Sequence, residues 1–168
     1  FRGTPMIVQS MVIFYGSAQA FNISLDRTWA AIFIVSINTG AYMSEIVRGG
    51  ILAVDPGQFE AATALGMTHG QTMRKVVLPQ VVRNILPATG NEFVINIKDT
   101  SVLNVISVVE LYFTGNTIAT QNYQYFPTFT IIAVIYFVLT FTITRILRYI
   151  ERRLDSDTYT TGANQMQV

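Results

Sequence analysis

The chain of 168 residues is 51% hydrophobic and only 12% charged, with a formal net charge of +1 and no cysteine. Soluble domains carry about 25% charged residues, and at a mean hydropathy of +0.40 this chain has too few polar side chains to cover a water-facing surface, which excludes an ordinary cytosolic enzyme. The same figures exclude a disordered chain, which needs high net charge, a nucleic-acid binder, which needs a basic excess, and any disulfide framework or thiolate chemistry.

A membrane protein remains, and a hydrocarbon core of about 30 Å asks for roughly 17–25 mostly apolar helical residues per crossing. The chain opens on Phe1 with no visible signal peptide, and its start is expected to be missing. No charge falls between Arg2 and Asp26, or between Arg27 and Glu45; these intervals predict spans over 4–20 and 28–47. Near the end of the second, Glu45 and Arg48 stand three apart, as an interfacial ion pair would.

Residues 55–79 are too patterned for a passive linker. Asp55-Pro56-Gly57-Gln58 offers an N-cap, a proline at the first helical position and a capping-box glutamine. Good helix formers follow to Leu65, and Gly66 suits a left-handed stop. Thr68-His69-Gly70-Gln71 repeats the capping box and predicts a second helix ending at Leu78-Pro79. This helical hairpin presents a shallow knob made to dock. His69, the single histidine, has no carboxylate or cysteine beside it and reads as a surface residue, so no metal site is predicted.

The next span, 82–103, is polar on one side. Glu92, Asn96 and Asp99 stand at i, i+4 and i+7 and share a face, with Asn91 and Lys98 on a flanking stripe and Phe93, Val94 and Ile97 opposite. Ionisable groups at membrane depth cost several kcal/mol unless they face a cavity or a partner, so Asn91, Glu92, Asn96 and Asp99 are candidates to line a path. Carboxylates there can accept from an ammonium group, and the amides can bond a carboxylate or an amide. The competing reading for Lys98 is a simple ion pair, or snorkelling to the interface.

The connection from Leu111 to Phe126 holds no lysine or arginine, and no charge interrupts the chain between Glu110 and Arg145, which predicts a last span over 127–146. Tyrosines near the span ends, with Trp29, fit interfacial anchoring. Residues 155–168 form a polar tail without apolar periodicity, expected to be disordered. The positive-inside rule puts the hairpin loop (Arg74, Lys75, Arg83) and the C-terminus (Arg145, Arg148, Arg152, Arg153) in the cytoplasm, and the Asn116 side outside. The absence of a Gly-x-x-x-x-Gly-Lys-Ser/Thr loop leaves the chain no phosphate cradle of its own, and it is expected not to be an enzyme.

Glu60-Ala61-Ala62, then Gly66, then Leu78-Pro79 resembles the EAA signature of permease subunits of ABC-type importers that work with a solute-binding protein. Arg2-Gly3-Thr4-Pro5, Asn38-Thr39-Gly40-Ala41-Tyr42, Leu86-Pro87-Ala88, Asn91-Glu92-Phe93 and Lys98-Asp99-Thr100-Ser101 are similar to the polar-amino-acid branch, the glutamine, glutamate, arginine and histidine permeases. The resemblance runs from Arg2 to about Leu154. It implies an all-α polytopic bundle of the type I importer fold, N-terminally truncated, in the bacterial plasma membrane. Residues 1–154 would form the permease domain, with Glu60, Ala61, Ala62 and Gly66 coupling to a cytoplasmic ATPase that carries ATP and Mg. It also implies a second permease subunit, an extracytoplasmic amino-acid-binding protein, and no cofactor on this chain. The residues alone also admit a non-transporting anchor or sensor that docks a cytoplasmic partner by the same hairpin.

Overall fold

The computed structural model describes residues 3–165, with side chains to Arg153; Arg2 of the opening motif and the last three tail residues lie outside the described residues. Every regular element described is helical: α1 (Met6–Phe21), α2 (Arg27–Leu52), α3 (Pro56–Ala64), α4 (His69–Thr72), α5 (Leu78–Asp99), α6 (Leu111–Asn122) and α7 (Tyr125–Gln165). A π-turn, Met73–Val77, joins α4 to α5, and a 3-10 segment, Thr100–Ile106, follows α5. The chain forms two compact units, one of the residues up to Tyr42 with Glu92–Ile143, the other of Met43–Asn91 with the chain from Thr144.

In the first unit, Asp26 starts α2 by accepting from the Thr28 and Trp29 N–H groups at 3.0 and 3.1 Å. Ala30, Ala31 and Ile34 of α2 pack with Leu103 and Ile106 of the 3-10 segment, and Met6, Ile13 and Phe14 of α1 close this core. The Tyr15 hydroxyl donates to the Val105 carbonyl at 3.0 Å. Ser107 takes the left-handed conformation, φ 61°, and the chain turns into α6, which Glu110 caps through the Tyr112 and Phe113 N–H groups. Glu110 also accepts from the Tyr136 hydroxyl at 3.1 Å, tying α6 to α7. The two helices meet where Gly115 is buried under Ile132, the close approach that a small residue allows in a membrane bundle.

In the second unit, Val54, Val77 and Val81 form the core, with Ile51, Phe59, Met73 and Ile85 packed against it. Gly50 lies so near the Ile85 side chain that a Cβ there would overlap it. On the other side of α5, a methyl at Gly90 would meet Leu147 at 3.4 Å and Glu151 Oε1 at 3.5 Å.

By length and composition α2 and the Tyr125–Arg153 part of α7 can cross a membrane, and α5 with α6 makes a third crossing if the broken pair counts as one. Only 6% of the apolar window of α7 is buried; Phe137, Val138, Leu139 and Phe141 face outward, as in a lipid-facing helix and unlike a core helix. The 16 residues of α1 rise about 24 Å at 1.5 Å each, short of the ~30 Å core that a span over 4–20 was expected to fill.

Three elements differ from the sequence reading. The second hairpin helix does not stop at Leu78-Pro79: the π-turn, closed by the Leu78 N–H on the Met73 carbonyl, carries it into α5, and its wider ring accommodates a Pro79 that has no N–H to donate. Residues 111–122, expected as a connection, are helical because Glu110 supplies a carboxylate cap. The backbone beyond residue 155, expected to lack regular structure, continues α7 to Gln165, since extending a helix needs no new nucleus.

The α6–α7 approach yields a test. Gly115→Ala should destabilise the detergent-solubilised protein by about 1–3 kcal/mol through overpacking, and adding Ile132→Ala should cost less than the sum of the two single changes. A thermal midpoint unmoved by Gly115→Ala would mean that these helices do not approach so closely.

Candidate functional site

The hairpin is fixed at each end by its own backbone chemistry. Asp55 Oδ1 accepts from the Gly57 N–H at 2.7 Å and starts α3. At the other end the Gly66 N–H donates to the Thr63 carbonyl at 2.9 Å and the Met67 N–H to the Ala62 carbonyl at 3.1 Å, the paired bonds of a Schellman stop. Gly66 holds φ +76°, a left-handed conformation that costs a side-chain-bearing residue roughly 1–2 kcal/mol. Both halves of the Thr68–Gln71 capping box are formed, at 2.9 and 3.4 Å.

Packing then sorts the signature residues. Ala62 is buried, and Phe59 lies on the Val54–Val77–Val81 core. Glu60, Ala61 and Gly66 are exposed, and Leu65 is 82% exposed. The signature therefore has an inward side that anchors the hairpin and an exposed outward side. Leu65, beyond the four residues singled out by sequence, is its most exposed apolar group. His69 is exposed at the start of α4.

The polar face of α5 is likewise divided. Glu92 is buried to 9% exposure and makes no hydrogen bond or ion pair among the described residues. Asn96, half-buried, accepts from the Thr39 hydroxyl at 3.1 Å. Asp99 and Lys98 are exposed at the C-terminal end of the helix, and Lys98 makes no ion pair among the described residues. The structure brings Glu92, Asn96 and Asp99 onto one face of α5, and Asn91, also exposed, precedes Glu92 on the same helix about 100° round. Glu45 and Arg48 form the expected pair at 2.6 Å, both exposed, and such a surface pair contributes little.

Sequence reading missed the polar link that supports this face. Asn38, beside Thr39 on α2, donates to Gln9 Oε1 at 3.2 Å, and Gln9 Nε2 donates to the Thr4 carbonyl and hydroxyl, each at 2.9 Å. Gln9 and Ser10 are buried in α1. The available signal was the presence of Gln9, Asn38 and Thr39 inside uncharged membrane intervals, where an unpaired amide is costly. Gln9 also borders a recess of about 320 Å³ with Thr4, Val8, Val12 and Ile13.

The chain matches, over residues 1–156, the family described as the inner membrane component of binding-protein-dependent transport systems. It is 38% identical to the arginine transport system permease protein ArtQ of Bacillus subtilis, covering 94% of this chain and 72% of the relative. It is 42% identical to the glutamine transport system permease protein GlnP of Escherichia coli, covering 91% and 70%, and 43% identical to the L-cystine transport system permease protein TcyB of Bacillus subtilis, covering 92% and 66%. A crystal structure of an amino acid ABC transporter with histidines superimposes with a TM-score of 0.85 at 45% identity, covering 90% of this chain and 71% of that one.

The Thr39–Asn96 bond predicts its own measurement. Thr39→Val should lower the unfolding free energy by about 0.5–1.5 kcal/mol and Thr39→Ser should retain most of it. Thermal denaturation in detergent checks this; equal midpoints for the two variants would refute it.

Proposed function

The chain belongs to the family of binding-protein-dependent transport system inner membrane components, and from that premise, as a permease subunit of an amino acid ABC transporter, we propose how it moves its cargo. The α5 face of Glu92, Asn96 and Asp99 borders the translocation path, with Asn91 on its flank. Carboxylates on that face accept from the α-ammonium of a polar amino acid, and the amides bond its carboxylate or side chain. Relatives named for glutamine, arginine and cystine favour a polar amino acid delivered by an extracytoplasmic binding protein, and glutamine or glutamate is the first choice.

The hairpin is the coupling element. In this reading the loop and the C-terminus are cytoplasmic, a second permease subunit completes the path, and ATP with its Mg sits on a partner ATPase. One observation carries the reading: Ala62 is buried and Phe59 rests on the unit's valine core, while Glu60, Ala61 and Leu65 face outward. A knob fixed from behind transmits a push as a rigid body, and ATP biases the equilibrium by binding the closed ATPase more tightly than the open one.

Two experiments test it on the full complex reconstituted with its binding protein. Replacing Gly66 by Val should abolish substrate-stimulated ATPase activity, while Gly66→Asn, which tolerates the left-handed conformation, should retain part of it. Equal loss in both variants would remove the conformational role of Gly66. Glu92→Gln should lower amino acid uptake about tenfold or more, the worth of a charge-assisted hydrogen bond of roughly 1.5–3 kcal/mol. Unchanged uptake would instead remove Glu92 from the translocation path.

A further inference from the structure

The face of Glu92, Asn96 and Asp99 runs directly into the 3-10 segment Thr100–Ile106. Leu103 and Ile106 of that segment are 4% and 0% exposed and lie with Ala30, Ala31 and Ile34 of α2. Those α2 residues precede Thr39, about 8–14 Å along the helix from its bond to Asn96. With the hairpin loop cytoplasmic, the start of α2 is its outer end, so this contact closes the first unit between Asn96 and the outside.

Few bonds hold the closure. A 3-10 run of seven residues is long for its kind, and its hydrogen bonds are poorer than those of an α-helix. Ala30 and Ala31 offer Leu103 and Ile106 no large side chain to interlock with. At the end of the segment the Ser107 N–H donates to the Asn104 carbonyl at 2.8 Å and the Val108 N–H to the Leu103 carbonyl at 3.3 Å. The Val105 carbonyl receives no backbone N–H there among the described residues, and the Tyr15 hydroxyl of α1 donates to it at 3.0 Å. Rewinding the seven residues as α-helix would shorten the segment by about 3.5 Å and turn its far end by about 140°. Such a change lifts Ile106 off α2 and breaks the Tyr15 bond. Residues 107–109 separate the segment from the capped start of α6, with Ser107 left-handed at φ 61° and Val109 73% exposed, and they can absorb the difference.

We propose that Thr100–Ile106 is the outer gate of this chain's translocation path, shut in its 3-10 form and open when rewound as α-helix, with Tyr15 as the positioning residue that holds it shut. The proposal rests on the transport reading: cargo delivered from outside must pass this contact to reach Asn96 and Glu92. Two packings of one segment, separated by few bonds, are the bistable element that such a step needs. Because Tyr15 bonds only the 3-10 form, it biases the gate by the worth of one hydrogen bond, about two- to tenfold in population.

The chain has no cysteine, so one introduced thiol reports the gate. The full complex is reconstituted in vesicles, with binding protein and a membrane-impermeant maleimide outside and ATP inside. Ala31→Cys, and separately Leu103→Cys, should react slowly at rest and faster once amino acid and ATP drive turnover. Adding Tyr15→Phe should raise the resting rate about two- to tenfold and leave the rate during turnover near that of the parent. Tyr125→Phe removes a span-end hydroxyl that makes no hydrogen bond among the described residues, and should change neither rate. A labelling rate that turnover does not alter would overturn the gate. An unchanged resting rate in Tyr15→Phe, or an equal rise at rest and in turnover, would overturn the positioning role of Tyr15. Amino acid uptake is followed in the same vesicles: uptake with turnover-independent labelling sinks the gate alone, whereas absent uptake sinks the transport reading and the gate with it.

Discussion

A bilayer interior supplies no hydrogen-bond partner, so every polar group placed there must find one in the protein or face a wet path. That constraint organises the first unit. Gln9, Asn38, Thr39 and Asn96 sit in apolar helices and satisfy one another, running from Thr4 through α1 and α2 to α5. Glu92 is left buried beside them without a hydrogen-bonded partner among the described residues. Under the transport proposal, this is the carboxylate kept for the cargo.

The same economy of contact shapes the packing. Helices that cannot rely on water to push them together depend on close approach, and small residues appear where it is closest: Gly50 under Ile85 and Gly115 under Ile132. Large apolar side chains go the other way. On α7 they cover the outer surface, while the buried core of the first unit is alanine, isoleucine and leucine and that of the second is valine. Hydrophobicity alone does not say which residues are inside such a protein, because both inside and outside are apolar.

That is also why the sequence was legible in parts. Helix identity followed from uncharged intervals, and the caps followed from local side-chain chemistry: Asp55, Thr68 with Gln71, and Gly66 each do what their residue types predict. The polar face of α5 could be placed by its spacing. The path from α4 into α5 could not, because a π-turn leaves no compositional mark and Pro79 reads as a stop. Helix α6 was hidden because its cap, Glu110, is a charge that was counted as the boundary of an interval. The Gln9–Asn38 and Thr39–Asn96 links are long-range pairs, invisible to any window along the chain, as is the burial that separates Ala62 from Ala61.

Asn38 and Thr39 are consecutive, so their side chains leave α2 about 100° apart, one reaching α1 and the other α5. Rolling α2 about its long axis would pull one link open while crowding the other. Tilting it together with both neighbours disturbs neither. The two adjacent residues therefore oppose axial rotation of this part of α2 against α1 and α5, each bond with a net worth of about 0.5–1.5 kcal/mol.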